Sequence, residues 1–319
     1  MLITAIGELL IDLTHAGFDP QGVELFTANP GGAPANVAAA CAKLGAESAF
    51  IGRVGKDALG ESAVRLLRSC GVDTSGVSFD GNAPTTLAVV SLDGQGERSF
   101  QFYRDMGADT RLAREHVPDG MIASSRVLHF GSLSLTHEPC RSALLHALDV
   151  AEANGVLRSY DANYRASLWH GEGEAVEAMR YLLHRADIVK LSAEELALLA
   201  GGEGGIEAAS RRVLECGCAQ LFVTCGAEGA YWAGADSFGF TPAEKIAAVD
   251  TNGAGDSFMG AALTRLAGVS RRELRALGDG FLREVTAFAS RAAAITCTRH
   301  GTIPALPASD ELKAPGSGT

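Results

Sequence analysis

The sequence predicts an α/β fold: a layered sandwich with a mostly parallel central sheet and a small projecting β lid. Three observations carry this. Short apolar runs alternate with helical segments that end at glycine, a rhythm that produces parallel strands joined by right-handed crossovers. Two β-rich or turn-rich insertions break the rhythm, and together they form one small separate sheet. The 38 glycines among 319 residues fall between the apolar segments, so they mark turns and close approaches of the backbone rather than low complexity.

Taken in order, Leu2–Ile6 is an apolar run followed by Gly7 and reads as a buried strand. Pro34–Leu44 is Ala-rich, with Pro in its first turn and Gly45 at its end, the punctuation of a helix. Ser48–Ile51 is strand-like, and Asp57 caps a helix over Ala58–Cys70 that stops at Gly71. Gly17–Asn29 is polar and turn-rich where a short connection is expected. Thr85–Ser91 and Glu97–Tyr103 are β-rich and joined by Asp93-Gly94-Gln95-Gly96. These insertions, about 12–30 and 85–105, are the lid strands of a single domain spanning 1–319. The alternation resumes with strand Val127–Phe130, helix Glu138–Asn154 and strand Val156–Tyr160. A helix near Gly173–His184 precedes strand Asp187–Lys190. Ser192 and Glu195 have capping-box spacing before Leu196–Ala200, and Leu221–Thr224 is another strand. Ser270 and Glu273 repeat the capping box before the C-terminal helical region, and 308–319 reads as a loose tail.

Lys plus Arg is 27 and Asp plus Glu is 38, so the formal charge is 27 − 38 = −11. That balance argues against a general nucleic-acid binder, which needs cations along its surface, but leaves room for nucleotides held by backbone amides. No run approaches the ~20 apolar residues of a membrane span. Met1–Asp12 lacks a basic leader and already carries Glu8. Seven scattered cysteines, without a framework, point to reduced thiols and a cytoplasmic setting. Cys216 and Cys218 are spaced CxC with no second pair or nearby His, which does not make a zinc site.

The strongest local signal is Asp250-Thr251-Asn252-Gly253-Ala254-Gly255-Asp256, ahead of a small-residue helix over Ser257–Ala267. Gly253 and Gly255 let a ligand approach the backbone, and amides at a helix N-terminus suit an anion. Asp256, inside that nest, is placed to take a proton from a hydroxyl attacking a phosphoryl group. On its own, the motif reads equally well as a Gly-rich turn with a capping Asp. Gly31-Gly32-Ala33-Pro34-Ala35-Asn36 opens a helix and lacks the Gly-Lys-Ser/Thr ending of a P-loop. By itself it is better read as a plain turn.

Together the two motifs resemble the two signatures of the ribokinase-like (PfkB) carbohydrate kinases. Ser48–Lys56 and Cys70–Gly76 resemble intervening blocks of the same family. Within it, Gly31–Ala38, Gly131–Leu135 and Ser159–Arg165 with Leu168-Trp169 are similar to the fructokinase branch. The resemblance implies a ribokinase-like three-layer sandwich and an ATP-dependent transfer to the 6-hydroxyl of D-fructose. It also implies roles. Asp256 matches the general base, and Gly253, Ala254 and Gly255 match the anion hole. Asp12, Gly31, Gly32, Asn36 and Arg104 match sugar-side positions. Thr224, Gly226 and Gly229 match the strand end along the ATP phosphates, with Asp161, Asn163, Arg165, Lys190 and Ser192 beside them. Glu195 matches a residue that acts on Mg²⁺ through water, and Asp250 one that accompanies a monovalent cation such as K⁺. The partners implied are a small sugar and ATP, with no nucleic acid or membrane, and the lid allows a homodimer.

Three positions depart from the family pattern: Asn252 replaces a Thr, Ala162 a Pro and Ser192 an Asn. The rival substrate within the family is 2-dehydro-3-deoxygluconate, whose carboxylate needs an extra cation that Arg104 could supply. A non-catalytic sugar- or nucleotide-binding member is disfavoured because Asp256 and both glycines are present. A nicotinamide-binding Rossmann enzyme is excluded because Gly7-Glu8-Leu9-Leu10 supplies no G-x-G-x-x-G.

Overall fold

The computed structural model describes residues 1–92 and 98–312. In chain order its strands are β1 (Leu2–Ile6), β2 (Leu10–Phe18), β3 (Glu24–Gly31), β4 (Glu47–Gly55), β5 (Val72–Asp80), β6 (Leu87–Leu92), β7 (Arg98–Tyr103), β8 (Val127–Gly131), β9 (Leu157–Asp161), β10 (Ile188–Ser192), β11 (Gln220–Thr224), β12 (Gly229–Gly234) and β13 (Phe238–Pro242). The helices are α1 (Ala33–Lys43), α2 (Ala58–Ser69), α3 (Asp119–Ala123), α4 (Cys140–Ala153), α5 (Glu172–Leu183), α6 (Ala193–Ala200), α7 (Gly205–Leu214), α8 (Ala254–Leu266), α9 (Arg271–Leu274) and α10 (Asp279–Cys297).

The large sheet runs β13-β12-β11-β10-β9-β8-β1-β4-β5. Pairing is parallel from β5 through β11 and antiparallel only at the β11–β12 and β12–β13 edge. Successive residues of the central strands enter opposite cores, as a sheet covered on both faces requires. Leu128, Tyr160, Val189 and Leu221 pack with Leu144, Met179 and Leu196 of α4, α5 and α6. Val127, Leu157, Ile188 and Phe222 pack on the other side with Val37, Phe258 and Leu282 of α1, α8 and α10. The sandwich therefore has three layers.

From β1 the chain proceeds to β4 and β5 in one direction, then returns through β8 to β11 in the other. The switch lies beside β1, and parallel sheets bind ligands at the carboxyl ends of strands near such a point. The lid rises there. It is a four-stranded sheet in the order β3-β2-β6-β7, and β2 follows β1 after only Gly7–Leu9. Asp57 caps α2 by accepting the Gly60 N–H at 2.8 Å, and its other oxygen accepts Thr85 N–H at 2.8 Å, which ties the lid base to the body.

The expected lid strands and capping boxes are found with boundaries moved by a few residues. Strands β5, β12 and β13 and helix α7 were not expected. The expected hairpin turn at 93–96 falls outside the described residues. The tail differs from expectation as far as residue 312: Ser309–Leu312 forms a short 3₁₀ turn, Leu312 is buried, and Glu311 pairs with Arg299. Residues 313–319 fall outside the description. Among the described residues, no helix is long and apolar enough to cross a membrane.

Candidate active site

A cleft opens between the lid and the carboxyl ends of the central strands. Glu8, Asp12, Gly32, Asn36, Asn163, Arg165, Gly253 and Asp256 line it. Two sequence motifs 220 residues apart thus meet in one place.

Asp256 lies in the first turn of α8, whose N-cap, Gly253, has φ 75°. That left-handed conformation is easy only for glycine. A side chain there would also strike Thr302. Across the cleft, α1 presents Asn36, whose Nδ2 donates to Asp256 Oδ2 at 2.8 Å. The Asn36 Oδ1 is buried without a protein partner, so it is free to accept a ligand hydroxyl. Burial, reinforced by the Asp161 carboxylate, raises Asp256 to about 6, while the Asn36 bond, Lys190 and Arg165 pull the other way. A carboxylate in this condition can take up a proton near neutrality.

Gly31 and Gly32 serve packing. A Cβ on Gly31 would lie 2.5 Å from Asp12 Oδ2, and one on Gly32 (φ 115°) would strike the Glu8 carbonyl. Gly31 does not itself line the cleft. Its lack of a side chain makes room for Asp12. Burial raises Asp12 to about 7, with Arg165 lowering it and Asp256 and Asp250 adding to the rise.

Lys190 and Asp161 are aligned by register, as β9 and β10 pair Asp161 with Lys190. Lys190 Nζ donates to both Asp161 oxygens, at 3.1 and 2.9 Å. Burial disfavours the ammonium, but Asp161 and Glu195 outweigh it and raise the Lys190 pKa. Asp161 therefore acts as the counter-ion of Lys190. A Cβ on Gly255 would lie 2.8 Å from Lys190 Nζ, so the ammonium lies against the α8 nest.

Ser192 and Thr224 are opposite each other at the ends of β10 and β11, and Gly226 (φ 55°) and Gly229 (φ 138°) follow. These four residues do not line the cleft and extend along the strand ends beside it. Ser192 caps α6 by accepting Glu195 N–H at 3.1 Å. Glu195 accepts Tyr164 N–H and Ser192 N–H, both at 2.7 Å. Both its oxygens are engaged by backbone, so only their remaining lone pairs could reach a hydrated cation. Asp250 likewise accepts Asn252 N–H at 2.8 Å and Gly301 N–H at 3.2 Å, which pins the nest loop to the segment after α10.

Arg104 was expected to reach the sugar, and the structure places it in the wall instead. It is 2 % exposed and does not line the cleft. Its Nε donates to Asp109 Oδ2 at 2.7 Å, and its terminal nitrogens donate to Thr136 Oγ1 at 2.6 Å and the Leu133 carbonyl at 3.2 Å. A guanidinium with these partners is a structural tie.

Glu8 and Asp109 were missed. Glu8 Oε1 accepts the Ala33 N–H of α1 at 3.0 Å while its side chain lines the cleft. Burial raises its pKa to about 7. The available signal was a carboxylate embedded between the apolar runs Leu2–Ile6 and Leu9–Ile11.

The fold and cleft define a sugar-kinase-like phosphotransferase scaffold. The chain belongs to the pfkB family of carbohydrate kinases, whose description covers residues 2–309. It is 41 % identical over 314 residues to fructokinase-1 of Oryza sativa subsp. japonica, covering 98 % of this chain and 96 % of that protein. Among solved structures it is similar to the fructokinase of Xylella fastidiosa with bound ATP, at TM-score 0.90 and 32 % identity over 98 % of this chain and 96 % of that one. It is also similar to the fructokinase of Vibrio cholerae O395 in its fructose, ADP and calcium ion bound form, at TM-score 0.85 and 32 % identity over 98 % and 97 % of the two chains.

Proposed function

We propose that this protein is an ATP-dependent fructokinase that phosphorylates the 6-hydroxyl of D-fructose and releases fructose 6-phosphate and ADP. The observation that carries the reading is the meeting of Asp256, the α8 amide nest and the hydroxyl-binding groups Asp12 and Asn36 in one cleft. Similarity to fructokinases across nearly the whole chain supports the choice of sugar. Bound ATP supplies the phosphoryl group, and Mg²⁺ would neutralise part of its charge.

Asp256 would accept the proton of the attacking hydroxyl. The amides of Gly253, Ala254 and Gly255, with Lys190, would stabilise charge where it develops, because phosphoryl transfer depends chiefly on positioning and electrostatics. Asp12 accepts hydroxyl donors, and Asn36 both donates and accepts. Arg165 lines the cleft beside Asp12 and Asp256 and suits the phosphate charge. Thr224, Gly226, Gly229, Ser192 and Asn163 would border the nucleotide path. Among the described residues no group of three metal-ligating side chains occurs. This donor set fits a Mg²⁺ held mainly by phosphates and water, with Glu195 acting through water. A monovalent cation would rest on carbonyls near 296–305, with Asp250 holding their loop. K⁺ dependence of kcat tests that assignment.

The lid exposes Phe18, Leu25 and Phe26, which supports a homodimer formed through it, a state that sedimentation would report. The scattered free cysteines support a cytoplasmic setting. The deciding experiment is ADP release against a panel of sugars. Fructose should give the highest kcat/KM, above ribose, adenosine and 2-dehydro-3-deoxygluconate. Should the keto-deoxy acid be the better substrate, the kinase reading stands and the fructose assignment fails.

A further inference from the structure

The charged groups at the lid end of the cleft are distributed in a way that the transfer reaction does not require. Glu8 has Arg104 and Asp109 as its electrostatic neighbours, whereas Asp12 has Arg165, Asp256 and Asp250. Both acids line one cleft at the start of α1: Glu8 accepts the Ala33 N–H at 3.0 Å, and Asp12 lies against Gly31. Among the described residues that line it, three are carboxylates, Glu8, Asp12 and Asp256, and one is a cation, Arg165. Arg165 is grouped with Asp12 and Asp256. The cation acting on Glu8 is Arg104, which is buried, does not line the cleft and donates to the Leu133 carbonyl. Its Nε is held by Asp109, which is itself buried and also accepts the Thr86 hydroxyl.

We propose that Glu8 and Asp109 set the charge class of the substrate: Glu8 presents a carboxylate to the cleft, and Asp109 holds Arg104 out of it, so that the site takes a neutral polyol and rejects the corresponding sugar acid. The proposal rests on the sugar-kinase reading above and deepens it. A polyol places hydroxyl donors against Glu8, which accepts them. An acid places a second carboxylate there and meets no free guanidinium. Like charges brought together in a desolvated site weaken binding strongly, and rejection of this kind is as much a part of specificity as attraction. Glu8 is a specificity residue under this reading. Asp109 acts through Arg104 and is a positioning residue.

The test uses a matched pair, 2,5-anhydro-D-mannitol and 2,5-anhydro-D-mannonate, which differ by one CH₂OH against one carboxylate on the same furanoid ring. Their affinities for the full chain are measured calorimetrically without ATP at pH 8, where Glu8 and Asp12 are ionised. The wild type should bind the polyol at least about tenfold more tightly than the acid. Glu8→Gln retains an acceptor for the Ala33 amide and should narrow that ratio about tenfold. Asp109→Asn, which releases Arg104, should also narrow it by raising affinity for the acid. Melting temperatures identify any variant that fails to fold. A wild-type ratio near one overturns the proposal by itself, and so does an unchanged ratio in a normally melting Glu8→Gln. Failure of the kinase reading would appear separately, as absent ADP release with fructose in the presence of ATP.

Discussion

At the lid end of the cleft, carboxylates face the ligand space and the guanidinium of Arg104 is locked to Asp109 at 2.7 Å in the wall. At the strand-end side the roles are reversed. There the carboxylate of Asp161 is locked to Lys190 at 2.9 Å, and the amides opening α8 lie beside the ammonium. Both ends contain a buried ion pair: at the strand ends Lys190 neutralises the Asp161 carboxylate, which would repel a phosphate, and at the lid Asp109 neutralises the Arg104 guanidinium, which would attract an anion. Removing one partner of such a pair leaves an uncompensated buried charge, so each pair fixes the polarity of its end firmly. One end can then hold a neutral polyol and the other a polyanion, only a bond's length from each other during transfer. Predictions follow from the difference.

The largest effect is expected where the two ends meet. Asp256→Asn keeps the shape and the partner of Asn36 but removes proton acceptance, so kcat should fall by on the order of 10²–10⁴. The KM for fructose should change little. Steady-state kinetics checks this, and near-normal turnover would take Asp256 out of the base role.

The next effect belongs to the phosphate side alone. Gly255→Val places methyl groups where a Cβ already approaches Lys190 Nζ at 2.8 Å. Turnover should fall about 10²–10³-fold, the scale of losing an anion-stabilising donor. An active, normally melting variant would remove the nest from the mechanism. Lys190→Met separates the pair itself. The single variant should lose about 3–5 kcal/mol of stability because Asp161 is left buried and unpaired. Adding Asp161→Asn should restore the melting temperature while kcat stays depressed by about 10²-fold. If activity returns with stability, Lys190 is only a structural partner of Asp161.

The same contrast explains which parts were legible in the sequence. The α8 nest was legible because its chemistry is local: two glycines, a helix start and an acid lie within four residues. Helix starts at Asp57, Ser192 and Ser270 were legible for the same reason, and all three side chains cap as expected. The ion pairs were not. Lys190 and Asp161 are 29 residues apart and meet only through strand register, and on sequence alone a strand-end Lys reads as solvated. Arg104 ends a lid strand, where exposure is the natural expectation, but the return loop 104–110 folds it inward onto Asp109. Strands β12 and β13 escaped notice because they form an antiparallel edge that interrupts the strand–helix rhythm. Gly31 was expected at a ligand, and its reason is the closeness of Asp12.

The smallest expected effect concerns the bond that joins the two ends, Asn36 Nδ2 to Asp256 Oδ2 at 2.8 Å. With Asp256 raised to about 6, activity should decline as pH falls through that value, because the protonated acid cannot accept a proton. Glu8 and Asp12 lie near 7 and line the cleft, so they would distort a profile of kcat/KM. The profile is therefore best read in kcat at saturating fructose, which reports the bound complex. The Asn36 hydrogen bond stabilises the ionised form of Asp256 and holds its pKa down. In Asn36→Ala that support is gone and the carboxyl keeps its burial and the Asp161 charge, so the acid limb should move upward. A hydrogen bond to a charged group contributes about 1.5 kcal/mol, which corresponds to about one pH unit. Above the shifted limb, kcat should return to within about tenfold of wild type while fructose KM stays raised, because Asn36 also offers the sugar a buried acceptor. A limb that stays in place with a raised KM would make Asn36 a sugar ligand only, and the two ends of the cleft would then titrate independently.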